Sequence, residues 1–225
     1  MREVIVFAEG PSDEQFIKRV VAPALRHLQI FLKPQTLNTS KDASRDAVSF
    51  ERLKFNARNT LRQKPEAVLT TFLDLYGLDT DFPAFQASKQ KPDVYQRTEV
   101  LEQALHEAIV GHVGCRPERF IPHIQPYEFE GLLFSDPAAL SLTEPAWQAY
   151  QPTLLAIKAG FETPEHINDS YETKPAKRLE KLLLPIYKKT RHGPLAAEKV
   201  TLATMEQECL HFRGWLGRLR SLAGN

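Results

Sequence analysis

Residues 3–16 constrain the fold more than any other part of the chain. Residues 4–8 form an uninterrupted apolar run, which is typical of a strand buried on both faces of a parallel sheet. The run ends at a Glu-Gly-Pro-Ser turn that begins with Glu9, and Ser12 is a suitable N-cap for the helix that follows. We therefore predict a central strand that leads into a helix over residues 12–26, with Glu9 at the carboxyl end of the strand.

Two later apolar runs also end on acidic residues, one at Asp74 and the other at Glu128 and Glu130. A single acidic residue often does no more than end a strand, but three such ends in one chain favour a shared site. Because open α/β sheets bind ligands at the carboxyl ends of their strands, we expect Glu9, Asp74 and Glu130 to meet at one edge. Converging carboxylates repel one another unless a hard cation such as Mg²⁺ or Mn²⁺ lies between them.

The sequence around these runs predicts an α/β fold with a mostly parallel sheet flanked by helices. Amphipathic spacing predicts helices over residues 49–63 and 97–112. Residues 30–37 are interpreted as a strand, which Pro34 would either interrupt or place at the edge of the sheet. The polar residues 38–46 predict an exposed loop.

The character of the chain changes near residue 140. No later apolar run is typical of a strand, prolines recur, and short helical patterns dominate. We interpret residues 1–140 as one α/β domain and residues 141–225 as a helical C-terminal region packed on it. The last helix is predicted over residues 205–222, with Trp215 at its flank.

Composition restricts the class of protein. The chain of 225 residues is 42% hydrophobic and 25% charged, which is ordinary for a globular protein, and its formal net charge is only +1. Any contact with nucleic acid must therefore be local. The two cysteines lack ligand spacing, no apolar run approaches the ~20 residues of a membrane span, and no P-loop or Gly-x-Ser-x-Gly elbow is present. We expect a cytoplasmic protein without a membrane segment. Because the cysteines lack the spacing of zinc ligands, the sequence disfavours a zinc site.

Three blocks of the sequence resemble a known arrangement. They are Glu-Gly-Pro-Ser-Asp at residues 9–13, Phe-Leu-Asp-Leu-Tyr-Gly at residues 72–77, and His-Ile-Gln-Pro-Tyr-Glu-Phe-Glu-Gly-Leu-Leu-Phe at residues 123–134. Together they resemble the Toprim fold, the metal-binding α/β domain of topoisomerases, DnaG-type primases and OLD-family nucleases. They are especially similar to a family of small bacterial Toprim-like proteins described as a domain of unknown function. The likeness extends over nearly the whole chain.

The resemblance implies a Toprim-like fold for residues 1–140 and a set of site residues. Glu9, Asp74 and Glu130 would hold Mg²⁺ or Mn²⁺. Asp13 and Glu128 would bind a second ion or orient water.

Basic residues of the C-terminal region are the candidates for contact with nucleic acid. Lys177 and Arg178 lie in one basic run, and Lys188 and Lys189 lie in another. A solvated helix face would explain either run, but their concentration in a nearly neutral chain favours phosphate contact. In OLD-type enzymes a lysine after the carboxylates assists catalysis, and the resemblance implies Lys189 for that role, with Lys177 second.

One departure from the Toprim pattern leaves two hypotheses open. The usual Asp-x-Asp is replaced by Asp74-Leu75-Tyr76, so one carboxylate is missing unless Asp79 or Asp81 supplies it. The resemblance implies a metal-dependent phosphodiester hydrolase acting on nucleic acid, in bacterial genome or phage defence. The alternative is a catalytically weak subunit that works with a separate ABC- or SMC-like ATPase.

Overall fold

The computed structural model describes residues 1–37, 47–168 and 170–224, so the loop predicted over residues 38–46 lies outside the described part. The strands are β1 (Arg2–Ala8), β2 (Ile30–Thr36), β3 (Val68–Asp74), β4 (Phe120–Ile121) and β5 (Ile124–Gln125). They run in the order β2-β1-β3-β4, β5 also pairs with β3, and each of these pairings is parallel. The predicted α/β fold with a mostly parallel sheet is therefore confirmed.

Helices flank the sheet and make up most of the C-terminal region. The α-helices of the described residues are α1 (Pro11–Phe16), α2 (Ala22–Leu25), α3 (Phe50–Gln63), α4 (Phe85–Ser88), α5 (Val94–Val113), α6 (Glu130–Leu133), α7 (Pro137–Ser141), α8 (Gln151–Ala159), α9 (Pro175–Leu182), α10 (Lys189–Val200), α11 (Leu202–Glu208) and α12 (Leu210–Arg220). A π-helical turn at Ile17–Val21 joins α1 to α2. The last predicted helix is in fact two, because the chain leaves the helical conformation at Cys209.

The uninterrupted apolar run of β1 is explained by its central place in the sheet. Val4 and Val6 belong to a hydrophobic cluster that the C-terminal helices complete on one face. Ile5 and Phe7 belong to a second cluster, formed with α3 and α5 on the other face. Both faces of β1 are covered, and a strand in that position needs apolar residues at every place.

The outer strand and the C-terminal helices complete these two layers. Pro34 lies in β2 at the edge of the sheet, as predicted, where its missing N–H leaves no interior partner unpaired. Trp215 was predicted at the flank of its helix, and that prediction is wrong. Its side chain is fully buried, and its indole N–H donates to Thr70 Oγ1 at 2.9 Å, because α12 packs directly on β3. Within the described residues, no helix has both the length and the apolar character that a bilayer crossing requires.

Candidate metal centre

A cavity of about 300 Å³ lies where β1 and β3 end. The two strands are parallel and Ala8 is paired with Phe72, so their carboxyl ends reach the same edge of the sheet. Glu9 directly follows β1, and Asp74 is the last residue of β3. The residues that line the cavity are Glu9, Gly10, Pro11, Ser12, Asp13, Asp74, Glu130, Lys189 and Thr190.

Gly77 allows the carboxylate of Glu9 to lie beside the end of β3. Glu9 Oε2 accepts the N–H of Asp74 at 3.3 Å. A Cβ atom at Gly77 would lie only 1.9 Å from the same oxygen, so no other residue fits there without moving Glu9. Sequence reasoning gave Gly77 no role, although the glycine that ends the second block was the available signal.

Asp13 is held at the first turn of α1 by backbone contact. The N–H of Gly10 donates to Asp13 Oδ2 at 3.0 Å, and the side chain of Asp13 is buried. The helix begins at Pro11, whose fixed φ suits that position, and its N-cap is Gly10. The prediction of Ser12 as N-cap is therefore wrong by two residues, because the helix already begins at Pro11.

Two further carboxylates, at the start of α6, converge on Asp74. Oxygen atoms of Asp74, Glu128 and Glu130 lie within 4.8 Å of one another, and all three side chains are buried. The N–H of Phe129 donates to Asp74 Oδ1 at 2.8 Å and fixes this segment to the end of β3. The hydroxyl of Tyr187 donates to Glu130 Oε1 at 3.2 Å. This acidic group could hold a metal ion.

Two lysines neutralise Glu128. Its Oε1 lies 2.7 Å from Lys174 Nζ and 3.2 Å from Lys189 Nζ, while its Oε2 accepts the N–H of Ala176 at 3.1 Å. Lys189 Nζ also lies 3.2 Å from Glu130 Oε2. Sequence reasoning missed Lys174, and its only signal was its place at the start of the first basic run. Glu128 is thus fully engaged and is not among the residues that line the cavity.

Burial disfavours the charge of the carboxylates that face the cavity. It raises the pKa of Glu9 to about 7. Burial together with the repulsion of Glu9 raises the pKa of Asp13 to about 8. The same two causes raise the pKa of Asp74, and burial raises that of Glu130. Without a cation, these groups lose their protons at a higher pH than an exposed carboxylic acid does.

Glu128 behaves in the opposite way. Burial also disfavours its charge, but Lys189 and Lys174 outweigh that effect and lower the pKa of Glu128. Because the carboxylates that line the cavity offer oxygen ligands, and because burial disfavours their negative charge, these residues fit a hard cation such as Mg²⁺ or Mn²⁺.

The other predicted basic residues do not line the cavity. Lys177 pairs with Glu180 at 2.7 Å. The guanidinium of Arg178 lies 5.1 Å from the ring centre of Phe161. Lys188 is exposed, although it directly precedes α10. Their proposed contact with nucleic acid stays a prediction.

Neither Asp79 nor Asp81 replaces the missing second aspartate. Asp81 Oδ1 accepts the N–H of Phe50 at 2.9 Å, at the N-terminus of α3, which attracts negative charge. Asp79 Oδ1 accepts the N–H of Thr80 at 2.6 Å. Both carboxylates therefore serve local backbone contacts and are not among the residues that line the cavity.

Comparison with known proteins places this arrangement in a family. No curated protein and no solved structure matches the chain. The model of the family described as Domain of unknown function (DUF4276) matches residues 8–220. The matched range contains Glu9, Asp13, Asp74 and Glu130 as well as Lys189. The chain therefore belongs to the DUF4276 family.

Proposed function

We propose that this protein is a Mg²⁺- or Mn²⁺-dependent phosphodiester hydrolase that acts on nucleic acid, as in bacterial genome or phage defence. The observation that carries the proposal is the group of buried carboxylates with raised pKa values at one edge of a parallel sheet. Glu9, Asp74 and Glu130 would hold the cation. The resemblance of the three sequence blocks to Toprim domains and OLD-family nucleases supports the same reaction class.

The protein's own groups have distinct tasks in this proposal. When bound, the cation would polarise the scissile phosphate and lower the pKa of an attacking water. Asp13 lies in the cavity, and its carboxyl group would be ionised when the cation is bound, because a nearby positive charge lowers a carboxyl pKa. The carboxylate is then suited to orient that water and accept its proton. Glu128 has no open side toward the cavity, so it acts as a positioning residue for Lys189.

Lys189 would stabilise the negative charge that develops on the phosphate. Burial opposes its own charge, but Glu130, Asp74 and Glu128 together raise the pKa of Lys189. The ammonium group therefore stays protonated beside the cavity. A fixed positive charge in such a place is worth more than one in water, because few solvent dipoles screen it.

The alternative is a catalytically weak subunit that works with a separate ABC- or SMC-like ATPase. It is favoured by Tyr76, which stands where Toprim sites carry their second aspartate. The centre of the Tyr76 ring lies 5.5 Å from that of Tyr127 and 5.8 Å from Lys174 Nζ. An aromatic ring and a lysine therefore occupy the place where a second carboxylate would bind an ion.

Asp74→Asn distinguishes the two functions. The change keeps an oxygen for the N–H of Phe129 and removes the charge. We expect it to abolish Mn²⁺-dependent cleavage of single- and double-stranded DNA and RNA, and to abolish thermal stabilisation by Mg²⁺. The matched control is Asp81→Asn, whose carboxylate contacts only the region of α3 and should be dispensable for cleavage. If wild type and Asp74→Asn behave alike in cleavage and melting, the subunit function replaces the hydrolase.

The basic residues are tested by the salt dependence of binding. Each phosphate contact releases counterions, so Lys177→Met or Lys188→Met should reduce the slope of log K against log salt by about 0.9 for duplex DNA. Lys54→Met in α3, on the opposite face of the sheet, serves as control. A slope that no variant changes would mean that these lysines form a solvated face.

A further inference from the structure

A second group of titratable side chains lies apart from the carboxylate cavity. Glu102 comes from α5, His123 from the connection between β4 and β5, and His211 from α12. One ligand atom from each residue lies within 4.8 Å of the other two. None of the three belongs to the site already described.

The spacing of this group suits one ion. Glu102 Oε1 lies 2.8 Å from His211 Nε2 and 3.6 Å from His123 Nδ1. The two imidazole ring centres are 5.0 Å apart. Two imidazoles that bind one tetrahedral ion, each through a nitrogen about 2.1 Å away, have their ring centres about 5 Å apart. The ring centres therefore have the separation of two imidazoles on one ion, and the ring planes are inclined to each other by 24°.

The hydrogen bonds behind His123 fix which ring nitrogen carries its proton. The amide of Gln125 donates to Glu165 Oε1 at 3.4 Å, and this contact turns Gln125 Oε1 toward His123 Nε2, 3.2 Å away. A carbonyl oxygen only accepts, so Nε2 of His123 is the protonated nitrogen. Histidines that bind metals usually donate their other ring N–H in this way, which orients the lone pair toward the ion.

The remaining nitrogen of His123 faces a carboxylate without a hydrogen atom between them. Nδ1 is buried and has no hydrogen-bond partner among the described residues, and the side chain as a whole is fully buried. A proton on Nδ1 would draw Glu102 to a hydrogen-bond distance of about 2.7–3.2 Å, and the observed separation of 3.6 Å is longer. Two lone pairs that meet in a buried place are unfavourable unless a cation lies between them.

We propose that Glu102, His123 and His211 bind a divalent transition-metal ion of the Zn²⁺ class. Two imidazole nitrogens and one carboxylate oxygen favour such an ion over Mg²⁺, which prefers oxygen ligands. On binding, the ion replaces the proton that lies between His211 Nε2 and Glu102, and His211 then carries its ring proton on Nδ1. One proton leaves to solvent if the ring was an imidazolium, and none leaves if the ring was neutral and only changes its tautomer. The carboxylate is held in place by the N–H of Ile124 at 2.8 Å and by Arg218 at 3.1 Å.

A neighbouring cavity gives the ion a path from solvent. The cavity has a volume of about 760 Å³, and Glu102, His211 and Arg218 line it, whereas His123 does not. The ion would thus reach Glu102 and His211 first, with His123 behind them. Three protein ligands leave one tetrahedral position open, as in zinc sites that exchange water or bind a further ligand.

The test is Zn²⁺ titration of the metal-stripped full chain by calorimetry, with Mg²⁺ present to saturate the carboxylate cavity. We expect one Zn²⁺ per chain and, with Co²⁺ as probe, the visible absorption of a tetrahedral site. His211→Gln should weaken binding at least about 100-fold, since loss of a mere outer partner costs up to that factor. The control is His106→Gln, the same change in the wall of the same cavity, which should bind Zn²⁺ as wild type does.

Two results would overturn the proposal. One is the absence of Zn²⁺ binding by wild type, and the other is equal binding by wild type and His211→Gln. Circular dichroism establishes that each variant is folded. If His211→Gln fails to fold, Zn²⁺-soaked crystals of wild type decide the matter: an anomalous peak among Glu102, His123 and His211 supports the site, and its absence refutes it.

Discussion

Asp13→Asn removes one charge from the carboxylate cavity with little change in shape. The asparagine keeps an oxygen that can accept the N–H of Gly10, as Asp13 Oδ2 does at 3.0 Å. Asp13 is buried, and burial and the charge of Glu9 raise its pKa from 3.8 to about 8. The metal-free protein is therefore destabilised when this carboxyl group ionises.

The sign and size of the effect follow from proton linkage. Between pH 3.8 and about 8, the folded chain holds a proton on Asp13 that the unfolded chain has lost. The stability from this group is complete below the lower value and is lost as the pH rises through the upper one. One proton of difference changes the free energy of unfolding by about 1.4 kcal/mol per pH unit. The free energy of unfolding of Asp13→Asn should therefore increase relative to that of wild type by about 3 kcal/mol between about pH 5 and about pH 7.

Urea unfolding followed by circular dichroism, with EDTA present, measures this difference across the pH range. Asp136→Asn is the control, because Asp136 also accepts backbone N–H groups, from Ala138 and Ala139 at 3.0 Å, but lies outside the cavity. Its curve should run parallel to that of wild type. If the Asp13→Asn curve also runs parallel to wild type, Asp13 is already ionised in the folded protein and the argument from burial fails.

Gly77→Ala would place a Cβ 1.9 Å from Glu9 Oε2, so it should weaken Mg²⁺ binding in calorimetry and lower the free energy of unfolding by about 1–3 kcal/mol. Gly111→Ala, a helical position with nothing within 4 Å, should raise it by about 1 kcal/mol, and similar behaviour of both variants would contradict the close contact. Lys189→Met should slow cleavage by about 10²–10³-fold at saturating substrate. Lys199→Met, exposed in the same helix, should cleave as wild type does, and full activity of Lys189→Met would exclude its role.

The part of the fold that the sequence predicts is the part with local causes. Residues 4–8 are apolar at every position, and the run before Asp74 is interrupted only by Thr70 and Thr71. Such runs are typical of a strand with two covered faces. Parallel strands end at a common edge, so the approach of Glu9 to Asp74 follows once both runs are recognised. Pro34 marks the edge strand for an equally local reason.

The unpredicted part depends on contacts between distant segments. A glycine is needed at position 77 because the side chain of Glu9, which follows a different strand, lies beside it. The hydrophobic periodicity of the sequence does not predict this contact. The same is true of Glu102, His123 and His211: sequence spacing disfavoured zinc because local motifs place ligands a few residues apart. Here each ligand comes from a different element, and only the packing of α12 on the sheet brings them together.

The energetics of the carboxylate cavity favour a bound cation over a purely structural role. Exposed acidic residues could form an interaction surface at little cost in folding free energy. Asp13, Asp74 and Glu130 are instead buried where their negative charge is disfavoured. Lys189 compensates only part of that charge, since it also pairs with Glu128. A divalent cation would neutralise the negative charge that Lys189 leaves uncompensated. The cavity of about 300 Å³ leaves room for the cation and for a phosphate oxygen.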